Sequence, residues 1–221
     1  MSVPIAQIDR EALDPQQLAR KGIRLPRLIP DILDGLRAEK APIRFGCVKA
    51  IRIVSEERPD LLYPYFDFFI GLLDHENKIF QWEAAYVLSH LARVDDDDKF
   101  VAIFDRYFSP IPGPVMITAA SVIQGGARIA QAKPRLAERI AAEVLKVAKA
   151  RYQTVECRNV AIGHAILALG GILPLLPDPA PVLQFIRAQT ENRRPATRKK
   201  ATQVLESHRS AALDRRRALA T

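Results

Sequence analysis

The chain has 221 residues, of which 48% are hydrophobic and 26% charged, and its formal net charge is +8. This balance is typical of a globular protein with a sizeable core and excludes a disordered chain. Two isolated cysteines, Cys47 and Cys157, and a start (MSVPIAQIDREALD) without the basic and apolar parts of a secretory signal favour a cytoplasmic protein.

Helices are predicted over almost the whole chain, because apolar residues recur at spacings of three and four and no alternating strand pattern is present. The first is a short helix that begins at Asp14 and Pro15 and ends at Gly22. Farther along, segments rich in Pro, Asp and Asn interrupt the pattern at regular intervals. These breaks lie near residues 40, 58 and 75, at 95–98, 109–114, 132–134 and 174–181, and near 193.

The predicted helices form pairs, and the second helix of each pair carries the same pattern. The five patterned segments begin at Arg44, Gln81, Met116, Arg158 and Arg198, with offsets of 37, 35, 42 and 40 residues. Aligned without gaps, they place one small residue at a shared position: Cys47, Ala84, Ala119, Ala161 and Ala201. A small residue lets two helices approach closely, and the apolar residues one turn later fill the space between neighbouring pairs.

A period near 40 residues with two helices per unit resembles the HEAT-repeat superfamily. The strongest match is PDLLYPYFDFFIGLLDHENKIFQWEAAYVLSHLA, residues 59–92, and the resemblance covers residues 25–208. It implies an all-α fold, a right-handed α-solenoid of about five helix pairs. Residues 1–24 then form an N-terminal extension with a short capping helix, and residues 209–221 a basic tail. The family shares an architecture and not a function.

The resemblance also implies that the second helices line a concave surface of the stack. The side chains opposite the core positions are then candidates for binding a partner: Phe45, Lys49 and Arg52, then Trp82, Tyr86 and Ser89, then Ile117, Ser121 and Gln124. Aromatic residues and arginine are enriched in protein-binding hot spots, which draws attention to Trp82 and Tyr86 beside Lys49 and Arg52. Two interpretations of Trp82 stay open: it caps the core between repeats, or it belongs to an exposed ridge.

The positive charge is concentrated towards the C-terminus. Residues 1–60 carry 11 Lys and Arg against 9 Asp and Glu, residues 61–131 carry 5 against 9, and residues 132–221 carry 17 against 7. Arg198, Lys199 and Lys200 belong to the last group. Such a basic segment forms a solvated face, or attracts an acidic partner or a phosphate backbone.

Catalytic and metal-binding patterns are poor, and we predict no cofactor and no small-molecule substrate. Cys157 and His164 lie seven residues apart in one predicted helix, about 10 Å along its axis, which is too far for a nucleophile–base hydrogen bond. Asp95–Asp98 lack the alternating spacing and glycine of a calcium loop. They are predicted as an exposed linker whose last members cap the next helix.

The apolar segment 159–177 raises the question of a membrane span. It is interrupted by His164, Gly170–Gly171 and Pro174, which end a helix and do not carry it across a bilayer. We therefore predict a buried helix and no membrane partner.

The predicted function is a non-catalytic scaffold that binds a protein partner through its second helices. The alternative is a nucleic-acid-binding module that uses the basic C-terminal end. Some alkylpurine DNA glycosylases also have a HEAT-like fold, and such an enzyme needs a carboxylate beside aromatic residues in a basic groove. Here the residue one turn after Trp82 is Tyr86 and not a carboxylate, and Glu83 points about 100° away from Trp82. The middle third of the chain is also acidic. These features disfavour the glycosylase.

Overall fold

The structure is a computed structural model that describes residues 14–219, with side chains described for residues 14–211. In this part the protein is all-α: it is 82% helical and has 11 α-helices and no strands. The all-α prediction is confirmed for the described residues. Residues 1–13 of the predicted N-terminal extension, the side chains of residues 212–221 of the predicted tail and its last two residues lie outside this description.

The chain divides into two compact units, Met1–Ile103 and Phe104–Thr221. The helices that lie wholly in the first unit are α1 (Pro15–Arg24), α2 (Ile29–Asp34), α3 (Ala41–Glu57), α4 (Phe66–Leu72) and α5 (Lys78–Leu91). Helix α6 (Lys99–Phe108) contributes residues to both units. Those wholly in the second unit are α7 (Met116–Ala132), α8 (Ala137–Leu145), α9 (Val155–Ile172), α10 (Ala180–Ala188) and α11 (Pro195–Leu219).

Several helices begin where polar side chains accept hydrogen bonds from the first free amides. Asp14 Oδ1 accepts from the amide of Gln16 at 2.9 Å, and Asn77 Oδ1 accepts from the amide of Ile79 at 3.0 Å. Thr154 Oγ1 accepts from the amide of Cys157, also at 3.0 Å. These caps satisfy amides that have no partner inside the helix. The predicted break segments near 40, 58, 75 and 193 and at 95–98, 109–114, 132–134 and 174–181 all lie at helix ends or between helices.

The predicted end of the first helix is wrong. Gly22 lies inside α1, which continues to Arg24. A Cβ atom at Gly22 would lie 3.0 Å from Ile32 Cδ1 and 3.2 Å from Ile29 Cδ1. The glycine therefore provides room for α2 and does not terminate α1.

In each unit three helices pack against one another in series, and all of them except α1 have 14 or more residues. In the first unit α3 packs against α1 and α5, and in the second unit α9 packs against α7 and α11. The shorter helices cover them, with α4 on α5 in the first unit and α8 on α7 and α9 in the second. Long helices and short helices thus alternate along the chain, as the pairing of predicted helices requires.

The shared small position is buried in all five patterned helices. Cys47, Ala84, Ala119, Ala161 and Ala201 are each at most 1% exposed. The apolar positions one turn later are at most 2% exposed in the first three of these helices: Ala50, Ile51, Val87, Leu88, Val122 and Ile123. His164 and the last pair, Val204 and Leu205, are half-buried. The predicted core positions are therefore confirmed most fully in α3, α5 and α7.

The four consecutive aspartates match the prediction only in part: Asp96, Asp97 and Asp98 are exposed as predicted, but Asp95 is not. Asp95 is buried, and its carboxylate accepts hydrogen bonds from the amides of Lys99 at 2.8 Å and Phe100 at 3.0 Å. It also accepts from the hydroxyl of Tyr63 at 2.8 Å. The first aspartate caps α6, whereas the prediction gave this role to the last members. The turn between Asp95 and α6 contains a left-handed residue, Asp98 (φ 57°).

The buried small position in α5 yields a prediction of stability. Ala84→Trp places a large ring where α5 meets its neighbours, so overpacking should lower the free energy of unfolding by about 1–3 kcal/mol. Urea denaturation followed by circular dichroism measures the change. Lys49→Trp, on an exposed position of α3, is the control and should change stability much less. Equal stability of the two variants would contradict the packing described here.

Candidate partner-binding surface

Four of the predicted surface residues lie on two helices that are in contact. Lys49 and Arg52 lie on α3, Trp82 and Tyr86 lie on α5, and these two helices pack against each other. Lys49 is exposed, whereas Arg52, Trp82 and Tyr86 are half-buried. Trp82 thus fits neither extreme: it is not a fully buried core residue and not a freely exposed one.

Four side chains form a connected group, which we name the α3–α5 cluster: Arg52, Glu56, Glu83 and Tyr86. The guanidinium carbon of Arg52 lies 3.8 Å from the centre of the Tyr86 ring, within cation–π distance. Arg52 Nη1 donates to Glu83 Oε1 at 3.3 Å, and the Tyr86 hydroxyl donates to Glu56 Oε1 at 2.6 Å. Each bond between the two helices therefore also fixes the orientation of Arg52 or Tyr86.

Two further residues support the cluster from the end of α5. The ring of His90 lies 4.8 Å from that of Tyr86, centre to centre. Arg93 Nη2 donates to the main-chain oxygens of Ser55 at 3.2 Å and Glu56 at 2.6 Å, near the C-terminus of α3. Carbonyls in the last turn of a helix have no partner inside it, so this arginine satisfies them and ties α3 to the end of α5.

Glu83 is the most buried charge of the cluster. Its side chain is 21% exposed, and its Oε2 atom is buried without a hydrogen-bond partner among the described residues. Burial raises the pKa of Glu83, and the nearby Arg52 opposes this rise. Burial also raises the pKa of Tyr86, with a further contribution from its hydrogen bond to Glu56. Arg52 is thus the partner that makes an ionised Glu83 tolerable at this depth.

Glu83 and Glu56 were missed as site residues by the sequence analysis. The sequence places Glu83 about 100° away from Trp82 around α5, and the structure does not conflict with this. The sequence does not predict that the carboxylate points towards Arg52 of the neighbouring helix. The available signal was a carboxylate three residues before Tyr86, on the same face of α5. A carboxylate beside an aromatic ring was therefore present, although not one turn after Trp82.

Two other predicted surface residues of the first unit are less accessible than expected. Ser89 was grouped with the exposed residues, but it is completely buried, and its hydroxyl donates to the carbonyl of Tyr86 at 2.6 Å. This part of the prediction is wrong, although Ser89 lies on the same face of α5 as the half-buried Trp82 and Tyr86. Phe45 is half-buried, with the guanidinium of Arg44 5.2 Å from its ring centre.

The remaining predicted residues lie in the second unit. On α7, Ser121 is half-buried, and Gln124 is exposed with its side-chain amide 3.3 Å from the carbonyl of Ala120. On α11, Arg198 and Lys199 are exposed. Arg198 Nη1 donates to the carbonyl of Asn192 at 2.8 Å, which holds it against the start of its own helix. Lys200 is half-buried and packs over Gly163 of α9.

The candidate nucleophiles and metal ligands are dispersed. Cys47 is buried, and this burial raises the pKa of its thiol to about 11. His164 is half-buried; burial lowers the pKa of this imidazole, and the charges of Lys200 and Arg194 lower it further. Among the described residues, no group of three or more His, Cys, Asp or Glu side chains could hold a metal ion.

One described helix, extended to Val155–Leu175, is long and apolar enough to cross a membrane. However, 56% of its apolar window is buried inside the protein, and α9 packs against α7 and α11. A buried core helix passes the same test of length and composition, so this feature is weak evidence for a membrane span.

No protein-family model, curated protein or solved structure matches the chain. An assignment of function therefore rests on the contacts and charges of its own residues.

The pairing of Arg52 with Glu83 predicts a pH-dependent loss of stability. Arg52→Met keeps much of the apolar side chain but leaves Glu83 without its cationic partner. We expect the free energy of unfolding to fall by about 1 kcal/mol at pH 7. The loss should be smaller at pH 4, because the raised pKa of Glu83 lets this carboxyl take up a proton there and the unpaired charge disappears.

Urea denaturation at the two pH values measures this difference. The matched control is Arg58→Met, which breaks an exposed pair with Asp60 and should change stability little at either pH. Equal losses for Arg52→Met at pH 7 and pH 4 would show that the guanidinium does not neutralise Glu83.

The two thiols should differ in reactivity. A buried thiol with a pKa near 11 is almost wholly protonated at pH 8, so Cys47 should resist Ellman's reagent until the protein unfolds. Cys157, which is half-buried at the start of α9, should react first. Cys157→Ser should remove the fast phase, and Cys47→Ala should leave it intact; the opposite assignment would contradict the described burial.

Proposed function

We propose that this protein is a non-catalytic, HEAT-like protein-interaction module of the cytoplasm, a right-handed α-solenoid of about five helix pairs. It binds a protein partner through the surface of its second helices, above all through the α3–α5 cluster and Trp82. The proposal includes no cofactor, no small-molecule substrate and no membrane. It treats the basic residues Arg198, Lys199 and Lys200 as an electrostatic aid to association.

The repeat part of the proposal is supported by packing within each unit. Three helices follow one another in contact in each unit, α1–α3–α5 in the first and α7–α9–α11 in the second. The small residues that the repeat aligns are buried in all five patterned helices. Both features are expected when each helix pair covers the apolar face of the next pair.

The single observation that carries the binding function is the stacking of Arg52 on Tyr86 at a half-exposed position. Tyrosine and arginine contribute strongly to protein interfaces because they offer a large area together with hydrogen-bonding groups. Here both side chains are already held, Arg52 by Glu83 and Tyr86 by Glu56. A partner that docks on this pair therefore loses less side-chain entropy than it would on two free side chains.

The charges of the same cluster argue against nucleic acid as its ligand. Arg52 is accompanied by two carboxylates, Glu56 and Glu83, whereas a phosphate backbone requires an excess of cations. They also argue against glycosidic chemistry. Glu83 faces Arg52 and serves as its counter-ion, so it is not free to stabilise a cationic sugar. A docked protein surface satisfies both signs of charge.

The test compares two sets of substitutions in one binding titration at two salt concentrations. The partner is first isolated from the native host by affinity purification with and without nuclease treatment. Trp82→Ala combined with Tyr86→Ala should weaken binding by at least about 2 kcal/mol, or about thirtyfold. Replacing Arg198, Lys199 and Lys200 by glutamine should mainly slow association, and less so at high salt.

Phe68→Ala is the matched control. Phe68 also has an aromatic ring near an arginine, Arg37 at 5.9 Å, but it lies on α4 and outside the proposed surface. The unfolding midpoint of every variant is measured first. A folded double variant of Trp82 and Tyr86 that binds normally would refute the binding surface. If the basic substitutions cost most and reduce the salt dependence, and nuclease releases the partner, the function is nucleic-acid binding.

A further inference from the structure

A groove runs between α9 and α11 in the second unit. Its volume is about 390 Å³, towards the lower end of the range for ligand-binding pockets, roughly 300–1,000 Å³. Its lining is mostly apolar and includes Leu167, Gly170, Gly171, Pro174, Val204 and His208. We name it the α9–α11 groove.

Two glycines of α9 shape this groove. A Cβ atom at Gly170 would lie 2.7 Å from Val204 Cγ1, so the two helices approach each other closely at this point. At Gly171 the same atom would meet only Gln131 Nε2, at 3.9 Å. The space beside Gly171 is therefore left open by the absence of a side chain and is not filled by a neighbour.

The groove exposes an apolar residue that a partner can bury. Leu167 is 48% exposed, one turn before Gly170 and Gly171 on α9. Burial of this leucine side chain by a partner is favourable because it removes apolar surface from water. Because α9 has no charged residue between positions 159 and 175, its wall of the groove offers only apolar contact.

None of the described residues that line the groove is Lys, Arg, Asp or Glu. The positive charge lies beside the groove, on α11. Between residues 195 and 211 this helix carries Arg198, Lys199, Lys200 and Arg209 against one carboxylate, Glu206. Lys200 lies one turn before Val204 on the same face, with its Nζ atom 3.5 Å from the Cβ position of Gly163. It forms no ion pair with a carboxylate among the described side chains.

The surroundings of Lys200 add no negative charge. His164, whose pKa is lowered first by burial and then by the charges of Lys200 and Arg194, brings no negative charge to Lys200. Glu156 is committed to Arg194, whose Nε atom lies 2.7 Å from its carboxylate. A carboxylate brought by a partner would therefore be the first counter-ion of Lys200.

We propose that the α9–α11 groove is a docking site for an acidic, amphipathic segment of a partner protein. Its apolar side chains pack on Leu167 and Val204, and a carboxylate of the segment pairs with Lys200. A second copy of this chain would bring the same positive helix to the groove, which like charges oppose. A flat bilayer does not enter a concave groove, and a phosphate backbone leaves the apolar lining uncovered.

This docking site shares no residue with the α3–α5 cluster or Trp82; of the residues in the proposed function, it uses only Lys200. The test is a display selection on the full-length protein with amphipathic 18-residue peptides whose polar positions vary among Glu, Gln and Lys. Peptides rich in glutamate should be enriched. The most enriched peptide, labelled with fluorescein, then serves as the probe in anisotropy titrations.

Leu167→Glu should weaken binding of this probe at least tenfold, because it places a charge in the apolar groove. Val155→Glu is the matched control on the same helix: Val155 is 56% exposed and does not line the groove, so binding should change less than twofold. Lys200→Gln should weaken binding more than Lys199→Gln, although both variants lose the same charge. Circular dichroism verifies that all four variants are folded.

Several results would overturn the proposal. They are the absence of enrichment, the enrichment of lysine-rich peptides, and equal binding by the Leu167→Glu and Val155→Glu variants. Equal binding by an acidic peptide with scrambled leucine positions would show that the peptide binds through charge alone and not through the apolar groove. A dimer in light scattering that Leu167→Glu dissociates would assign the groove to a second copy. Binding to phosphatidylserine vesicles that depends on Leu167 would assign it to a membrane.

Discussion

Close contact between the long helices is the constraint on which the other features depend. Helices α3 and α5 pack against each other, and the small residues Cys47 on α3 and Ala84 on α5 are buried, so a larger side chain at either position would overpack the interior. The resulting separation is short enough for Arg52 on one helix to reach both Glu83 and Tyr86 on the other. The polar cluster at the surface is thus a consequence of small residues in the interior.

The arrangement of helices could be predicted from sequence because it depends on local signals. Breaks contain Pro, Asp and Asn, and the small residues recur with the helix pairs, so helix positions and core positions both follow from patterns within one segment. Side-chain partners across helices could not be predicted in this way. The direction in which Glu83 points from α5 follows from its position in the sequence. Whether Arg52 lies in that direction depends on the distance between α3 and α5 and on their register. The same reason explains three wrong predictions, those for Ser89, Gly22 and Asp95. The burial or role of each residue depends on contacts with other segments of the chain.

The two candidate surfaces differ in how their charge is balanced. On α3 and α5, Arg52 has two carboxylates around it, so the surface is rigid and its charge is largely satisfied before any partner arrives. On α9 and α11 the apolar wall is neutral, and Lys200 of α11 forms no ion pair among the described side chains. A rigid, balanced surface favours shape-specific recognition, whereas an apolar groove beside free positive charge selects by the sign of the partner. The two proposed surfaces are therefore expected to differ in the partners that they select.

The contact of Gly170 with Val204 has a consequence for how this protein tolerates sequence change. A single methyl group at Gly170 would meet both branches of a stiff valine, at 2.7 and 3.0 Å. Relief would come from moving α11 as a body, which carries Lys200 and the rest of its basic face with it. Even the small substitution Gly170→Ala would therefore change two things together: the width of the groove and the position of the positive charge beside it. Conversely, replacement of Val204 by alanine would leave the glycine uncovered, so the two positions are expected to vary as a pair and not singly.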